Sequence, residues 1–196
     1  MKIEIKCRFS GSVLFSHECD GNTMRMTVEA AVSARAYLDG ANLDGANLDG
    51  AYLDGAYLRG AYLDGAYLRG AYLRDAYLDG AYLRGAYLDG AYLDGAYLDG
   101  ANLDGAYLRG AYLDGDSKLI GERPIFQIGP IGSRCAYFVA YITDKGLKLR
   151  AGCFFGSKEE FVEALEETHD DNRHADEYNA ALVLIDKHAE IWTPEN

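Results

Sequence analysis

The sequence predicts a mainly β protein built around a coiled stack of very short strands, and three observations predict it. Residues 36–115 are sixteen tandem five-residue repeats, as in Ala51-Tyr52-Leu53-Asp54-Gly55. The period of five matches neither the 3.6 of a helix nor the 2 of an extended strand. Each repeat ends in Asp-Gly, Arg-Gly or once Arg74-Asp75, so a turn interrupts the chain every fifth residue.

The flanking segments come first and last. Over residues 1–35, Lys2 to Phe9 alternates apolar and polar, Ser10-Gly11-Ser12 marks a turn, and Val13-Leu14-Phe15 returns, which predicts a hairpin. Thr27 is then expected to open a short helix through Val28, Ala31 and Val32. In the repeats, Ala and Leu alternate with polar-capable neighbours, so Ala and Leu are expected inside and Tyr or Asn outside. Asp-Gly should occupy the two central positions of a turn, because Gly in the second tolerates the positive φ of type II. Fixed short periods call for stacking.

Residues 116–196 read as a compact α+β module. Ile125–Ile128 should be a strand, followed by a turn at Gly129-Pro130-Ile131-Gly132. Strands at about 135–143 and 147–155 flank Asp144-Lys145-Gly146, a hairpin signal. Ser157 with Glu160 forms a capping box opening a helix to His169. A second helix, about 174–191, carries Tyr178, Leu182, Ile185, Ala189 and Trp192 on one stripe.

The motif A-(D/N)-L-x-x, met without adjustment by Ala41-Asn42-Leu43-Asp44-Gly45, resembles that of the pentapeptide-repeat family. The resemblance implies a right-handed quadrilateral parallel β-helix with 20 residues per coil. Sixteen repeats then make four coils, about 19 Å tall at roughly 4.8 Å per strand. The departure is Tyr at the second position of thirteen repeats, where the family usually carries Asp or Asn. Open ends of such a stack would be adhesive edges, so residues 1–35 are expected to be an N-terminal hairpin-helix cap. Residues 116–196 would close the other end. Met1–Lys6, Gly129–Arg134, Arg150–Gly156 and Glu190-Ile191-Trp192 also resemble the flanks of pentapeptide-repeat proteins from phages and prophages, which implies a phage setting.

Charge bounds the partners. The chain carries 19 basic and 31 acidic side chains, formally −12. That argues against direct nucleic acid or an anionic membrane and favours a basic partner. No secretory signal or membrane span is visible, so a cytoplasmic protein of an infected or lysogenic bacterium is expected. Cys7, Cys19, Cys135 and Cys153 lack CxxC spacing and read as reduced, packed thiols.

Stacking 20 residues per coil sorts the fourth positions into four columns: Asp39, Arg59, Asp79, Asp99; Asp44, Asp64, Arg84, Asp104; Asp49, Arg69, Asp89, Arg109; and Asp54, Arg74, Asp94, Asp114. The third alternates in sign and the other three are net acidic. Some pentapeptide-repeat proteins are mimics of duplex DNA that occupy a topoisomerase groove. Duplex DNA carries roughly 11 charges over about 19 Å, against −7 here. The candidate partner-binding residues are therefore the aspartates of the three acidic columns, together with two tyrosine faces: Tyr37, Tyr57, Tyr77, Tyr97 and Tyr52, Tyr72, Tyr92, Tyr112. Asn42, Tyr62, Tyr82, Asn102 and Asn47, Tyr67, Tyr87, Tyr107 complete the set. Stacked aromatics also stabilise parallel sheets directly.

No cofactor, metal site or catalytic constellation is expected. His169, Asp170, Asp171 and His174 carry metal-ligand chemistry but read as a polar linker between helices. His188 reads as a core or edge residue, His17 with Cys7 and Cys19 has no metal spacing, and Gly129–Arg134 lacks the Lys-Ser/Thr of a phosphate loop. The sequence thus predicts a non-enzymatic binding protein, its sharpest form a phage-encoded DNA mimic directed at a host topoisomerase, nuclease or defence factor. A scaffold with the coil as spacer and the C-terminal module as reader is the second class. Sugar or small-ligand binding on the Tyr columns is the third, and a homodimer through either region is compatible with all three. Any specific site is expected where the repetition stops, at the Asn/Tyr changes, at Asp75, or in the C-terminal module.

Overall fold

The computed structural model describes residues 1–113, 117–169 and 172–194. The chain folds as two compact units, Met1–Ser117 and Lys118–Asn196.

In the first unit, β1 (Lys2–Lys6) and β2 (Val13–Glu18) pair antiparallel with Ile5 opposite Phe15. Ile5 is fully buried, and β1 stops at Lys6 rather than running to Phe9. Helix α1 (Met24–Ser33) begins four residues before the expected start. Thr23, not Thr27, is its N-cap: Thr23 is extended, with φ −125°, and its hydroxyl accepts from Met26 N at 3.2 Å. Thr27 lies buried inside the helix and donates its hydroxyl to the Thr23 carbonyl at 2.9 Å. Both threonines precede apolar residues, but only Thr23 follows a turn, at Asp20-Gly21, that leaves the cap extended.

The repeats follow one plan. Single-residue parallel bridges join positions 20 apart, such as Tyr52 to Tyr72 and Tyr72 to Tyr92. Four such ladders, starting at Tyr37, Asn42, Asn47 and Tyr52, give the coil four sides. Within a turn Ala56 N donates to Leu53 O at 3.0 Å, closing Leu-Asp-Gly-Ala. The repeat glycines have φ between 60° and 71°, the type II geometry that the Asp-Gly pairs predicted. Between coils, Leu53 N donates to Tyr72 O and Gly55 N to Arg74 O, both at 2.7 Å, and Tyr72 N returns to Ala51 O at 2.9 Å. Leu and Ala fill the interior: Leu38, Leu48 and Leu53 are wholly buried.

The first edge of this ladder is met by residues 1–35. Arg25 donates to the carbonyls of Asp49 and Gly50, both at 2.9 Å. Glu29 accepts from Tyr52 N at 3.0 Å, where later tyrosine amides meet an alanine carbonyl of the preceding coil. Arg25 Nε also donates to Glu29 at 3.0 Å. On another side, Asn42 N donates to Lys6 O at 2.8 Å, the position Ala41 O fills for Tyr62. Lys6, Arg25 and Glu29 thus supply hydrogen-bond partners to backbone groups of the first repeats.

The second unit is a four-stranded antiparallel meander, β3 (Ile125–Ile131), β4 (Ala136–Thr143), β5 (Gly146–Ala151) and β6 (Phe154–Ser157), in that order. Helices α2 (Lys158–His169) and α3 (Arg173–Trp192) follow. Phe138, Ala140 and Leu149 of the sheet pack with Phe161, Leu165, Tyr178, Leu182 and Ile185 of the helices. Gly129-Pro130 is not the expected turn: β3 runs through it with a register shift after Ile128, and the reversal falls at 132–135. The single strand expected over 147–155 is broken at Gly152, φ +58°, into β5 and β6. The capping box forms in both directions, with Ser157 N donating to Glu160 at 2.7 Å and Glu160 N to Ser157 Oγ at 3.2 Å. These bonds hold the Glu160 carboxyl below its ordinary value. Asn172 caps α3 through His174 N and Ala175 N.

Candidate interaction surface

Every second-position side chain lies on the outside of the coil, and the bridging backbone fixes its height. Rings 20 residues apart therefore meet face to face. Tyr57, Tyr77 and Tyr97 stack at 5.2 and 4.9 Å with planes 10° and 2° apart. Tyr52, Tyr72, Tyr92 and Tyr112 stack at 5.0, 4.9 and 4.7 Å. Tyr37 sits 4.9 Å from Tyr57 but tilts by 37°. It and Tyr52 are the most exposed rings of the coil, at 67 % and 62 %. Tyr97 is exposed, whereas Tyr57, Tyr72, Tyr77, Tyr92 and Tyr112 are half-buried. On the other two sides Tyr67, Tyr87 and Tyr107 stack in series and Tyr62 stacks on Tyr82. Desolvation, and then the bond to the Tyr82 hydroxyl, push the Tyr62 phenol above its ordinary value.

The aspartates have a role that the sequence reading did not assign. In the inter-coil pattern, the fourth-position N–H is met by a side chain of the preceding coil. Asp39 Oδ1 accepts from Arg59 N at 3.0 Å, Asp44 from Asp64 N at 3.1 Å, and Asp49 from Arg69 N at 2.8 Å. Asp54 accepts from Arg74 N and Asp64 from Arg84 N, both at 2.9 Å. Asparagine does this locally instead: Asn47 and Asn102 accept from the amides two residues on.

The second carboxylate oxygens meet arginine. Arg74 lies 3.6 Å from Asp54 and 3.4 Å from Asp94. Arg69 lies 3.8 Å from Asp49 and 3.9 Å from Asp89, and Arg59 bonds Asp79 at 3.2 Å. Arg84 bonds Asp64 at 3.0 Å through Nε, which holds that carboxyl below the usual range. Asp44 pairs with Arg8 at 3.3 Å. Guanidinium groups also lie over rings: Arg59 over Tyr77 at 4.5 Å, Arg69 over Tyr87 at 4.3 Å, Arg74 over Tyr92 at 4.6 Å. Arginine therefore pairs with a carboxylate in all four columns, and it bridges two in the third, through Arg69, and in the fourth, through Arg74. Asp39, Asp44, Asp54 and Asp104 are exposed; Asp64, Asp79, Asp94 and Asp99 are half-buried. Asp114 lies outside the described residues.

Asp75, in the glycine position, takes φ +54° and keeps the ladder bond to Asp94 O at 2.9 Å. In the second unit, Asp170 and Asp171 lie outside the described residues. His169 approaches Ser133 Oγ at 3.4 Å, and its ring lies 5.7 Å from that of His174. Among the described residues no three metal-ligating side chains converge. His188 is an edge residue, stacked on Phe126 at 4.4 Å with Nε2 at 2.9 Å from Arg123 O. The cysteines are free, but they are not packed as small apolar residues: Cys135 and Cys153 are exposed and Cys7 and Cys19 half-buried. Cys135 and Cys153 fall at strand-connecting turns, which neither bury nor pair them.

No helix among the described residues is long and apolar enough to cross a membrane. The family profile described as pentapeptide repeats matches residues 36–75 and again 76–115, each time as 8 copies. No curated protein matches the sequence. Among solved structures, the chain is similar to a pentapeptide repeat protein from Nostoc PCC 7120, at 36 % identity over 48 % of this chain and 87 % of that one, TM-score 0.41. It is also similar to the pentapeptide repeat protein Rfr23 of the cyanobacterium Cyanothece 51142, at 39 % identity over 42 % and 59 % of the two chains, TM-score 0.29. HetL of Nostoc sp. strain PCC 7120, described as involved in heterocyst differentiation regulation, matches at 32 % identity over 43 % and 56 %, TM-score 0.13.

Proposed function

Because this chain belongs to the pentapeptide-repeat family, whose repeats imply a right-handed quadrilateral β-helix, we propose that it is a non-enzymatic interaction protein presenting the coat of that helix to a basic protein partner. One observation carries the reading: the outer side chains are already fixed before any partner arrives. Rings lie face to face at about 5 Å and carboxylates are bonded to the backbone of the next coil. Ordering such a surface on binding costs little side-chain entropy, and Tyr and Arg are the residues that most often anchor interfaces. Four coils, with residues 1–35 capping the first through Arg25 and Glu29, complete the proposed architecture.

The narrower form, a phage-encoded mimic of duplex DNA, rests on the acidic excess and the phage-like flanks. Arg59, Arg69, Arg74 and Arg84 each contact one or two carboxylates, so a partner meets a mixed-sign coat rather than an uninterrupted row of anions. The narrower form requires that binding weaken steeply with salt and that duplex DNA compete for the partner. A partner captured from bacterial lysate that duplex DNA does not displace refutes mimicry and leaves the interaction reading standing. Deleting two whole coils, 40 residues, tests the interaction reading itself: loss of the partner supports recognition by the coil, and full retention hands recognition to the C-terminal unit. A glycan reading is less favoured, because the ladders stack their ring faces on each other and leave free faces only at their ends.

A further inference from the structure

Three arginines of the coil occupy one kind of seat. Arg59 pairs with Asp79 at 3.2 Å and lies over Tyr77 at 4.5 Å. Arg69 pairs with Asp89 at 3.9 Å over Tyr87 at 4.3 Å, and Arg74 with Asp94 at 3.4 Å over Tyr92 at 4.6 Å. Each arginine stands one coil ahead of a Tyr-Leu-Asp triplet, with its guanidinium over the ring and against the carboxylate. The rings so covered, Tyr77, Tyr87 and Tyr92, are half-buried. A further guanidinium comes from outside the repeats: Arg8 pairs with Asp44 at 3.3 Å and lies over Tyr62 at 5.4 Å. The coat therefore takes an arginine that its own columns do not supply.

The first coil carries the same triplet at Tyr37-Leu38-Asp39 and Tyr52-Leu53-Asp54, where the columns begin and no arginine stands one coil ahead. On its other two sides Asn42 and Asn47 replace the ring. Tyr37 and Tyr52 are exposed at 67 % and 62 %, and among the described residues no guanidinium lies over either. Stacking leaves free ring faces at the ladder ends, and these two rings are such ends. Asp39 and Asp54 are exposed as well. Each gives Oδ1 to an amide of the next coil, Arg59 N or Arg74 N. Asp54 also meets Arg74 at 3.6 Å, whereas Asp39 has no ion pair among the described residues.

We infer that Tyr37 with Asp39, and Tyr52 with Asp54, are seats for arginine side chains of a basic partner protein, each guanidinium lying over the ring and against the carboxylate as Arg59 does at Tyr77 and Asp79. The chemistry selects arginine over lysine. A guanidinium is planar and weakly hydrated, so it stacks on a ring while its edge donates to a carboxylate, whereas an ammonium is a compact, strongly hydrated point charge. Charge also selects the occupant, since a chain at formal −12 attracts a basic segment and repels a second copy of itself. The inference rests on the reading of the coil coat as the contact surface, and adds which residue of the partner the coat holds and where.

The probe is a dye-labelled flexible peptide of arginines separated by glycine and serine, set against the same peptide with lysine for every arginine. Binding to the full chain is followed by fluorescence anisotropy, with thermal melting confirming that each variant stays folded. The arginine peptide should bind about five-fold more tightly than the lysine one. Tyr37→Ala with Tyr52→Ala should abolish that preference. Asp39→Asn with Asp54→Asn keeps the acceptors for the next coil and should weaken the arginine peptide about five-fold. Glu163→Gln with Glu166→Gln removes as much charge from exposed positions of α2 and should leave binding unchanged. Equal affinity for the two peptides, a preference that survives loss of both rings, or equal weakening by the α2 pair overturns the inference. A lysate partner that is lost on deleting two coils but is indifferent to the Tyr37/Tyr52 and Asp39/Asp54 variants also overturns it, and leaves the coil as the contact surface.

Discussion

Asp64 tests whether the fourth-position carboxylates are structural groups or a solvated acidic coat. Its Oδ1 accepts the Arg84 amide at 2.9 Å and its Oδ2 the Arg84 guanidinium at 3.0 Å. A hydrogen bond to a charged group contributes about 1.5–3 kcal/mol, and water can replace part of it at this half-buried position. The exposed ion pair adds between about 0 and 1 kcal/mol. Asp64→Ala should therefore cost about 2 kcal/mol, read as a shift in the urea midpoint followed by the circular dichroism of the stacked tyrosines. Asp64→Asn keeps an acceptor for the amide and should cost about half as much. Equal losses for Ala and Asn, or no loss for Ala, would refute the reasoning, since either result removes the amide from the account. The pH dependence has a definite sign. Arg84 holds the Asp64 carboxyl below its ordinary value, so its contribution is fully present above the unfolded carboxylate value of about 3.9. That contribution falls away as pH drops through the lower folded value, and Asp64→Asn should lose this part of the acid dependence.

Arg25→Ala removes two bonds to first-coil carbonyls and the Glu29 contact, and should destabilise by about 2 kcal/mol. Hydrogen exchange should rise at the Tyr52 amide, which Glu29 accepts, and stay unchanged at the Tyr92 amide in a later coil. Gly65→Ala meets no atom within 4 Å but forces φ +64° on a side chain, so its cost is the backbone term of about 1–2 kcal/mol. Gly95→Ala should lower the melting temperature about as much, because the atom its Cβ meets is Oδ1 of the exposed Asp75 side chain, which can turn aside. Ser157→Ala removes one arm of the α2 capping box and should cost about 1 kcal/mol by chemical denaturation.

Some errors of the sequence reading share a cause. Thr23 and Thr27 offer the same chemistry as helix caps, and only the backbone extended at Thr23 and helical at Thr27 separates them. Gly129-Pro130 carries a strong turn signal, yet pairing with β4 draws it into a strand and moves the reversal to 132–135. Cys135 and Cys153 have the composition of packed thiols, and the turns at which the sheet places them leave both exposed.

The sequence by itself determined the repeat plan: Ala and Leu inward, Tyr outward, and a positive-φ glycine closing each turn, since all three follow from torsions and side-chain alternation within five residues. It also determined the Ser157–Glu160 box, whose partners are three residues apart. Only the tertiary structure decided what the charged residues do. Whether Asp54 is a free anion or the acceptor for Arg74 N depends on a coil 20 residues later, and Arg25 and Glu29 have no visible purpose until the edge at Asp49–Tyr52 is brought to them. A local pattern specifies conformation because its interactions close within a few residues. A side chain's role on a stacked surface is set by neighbours that the folded coil, and not the order of the chain, places beside it.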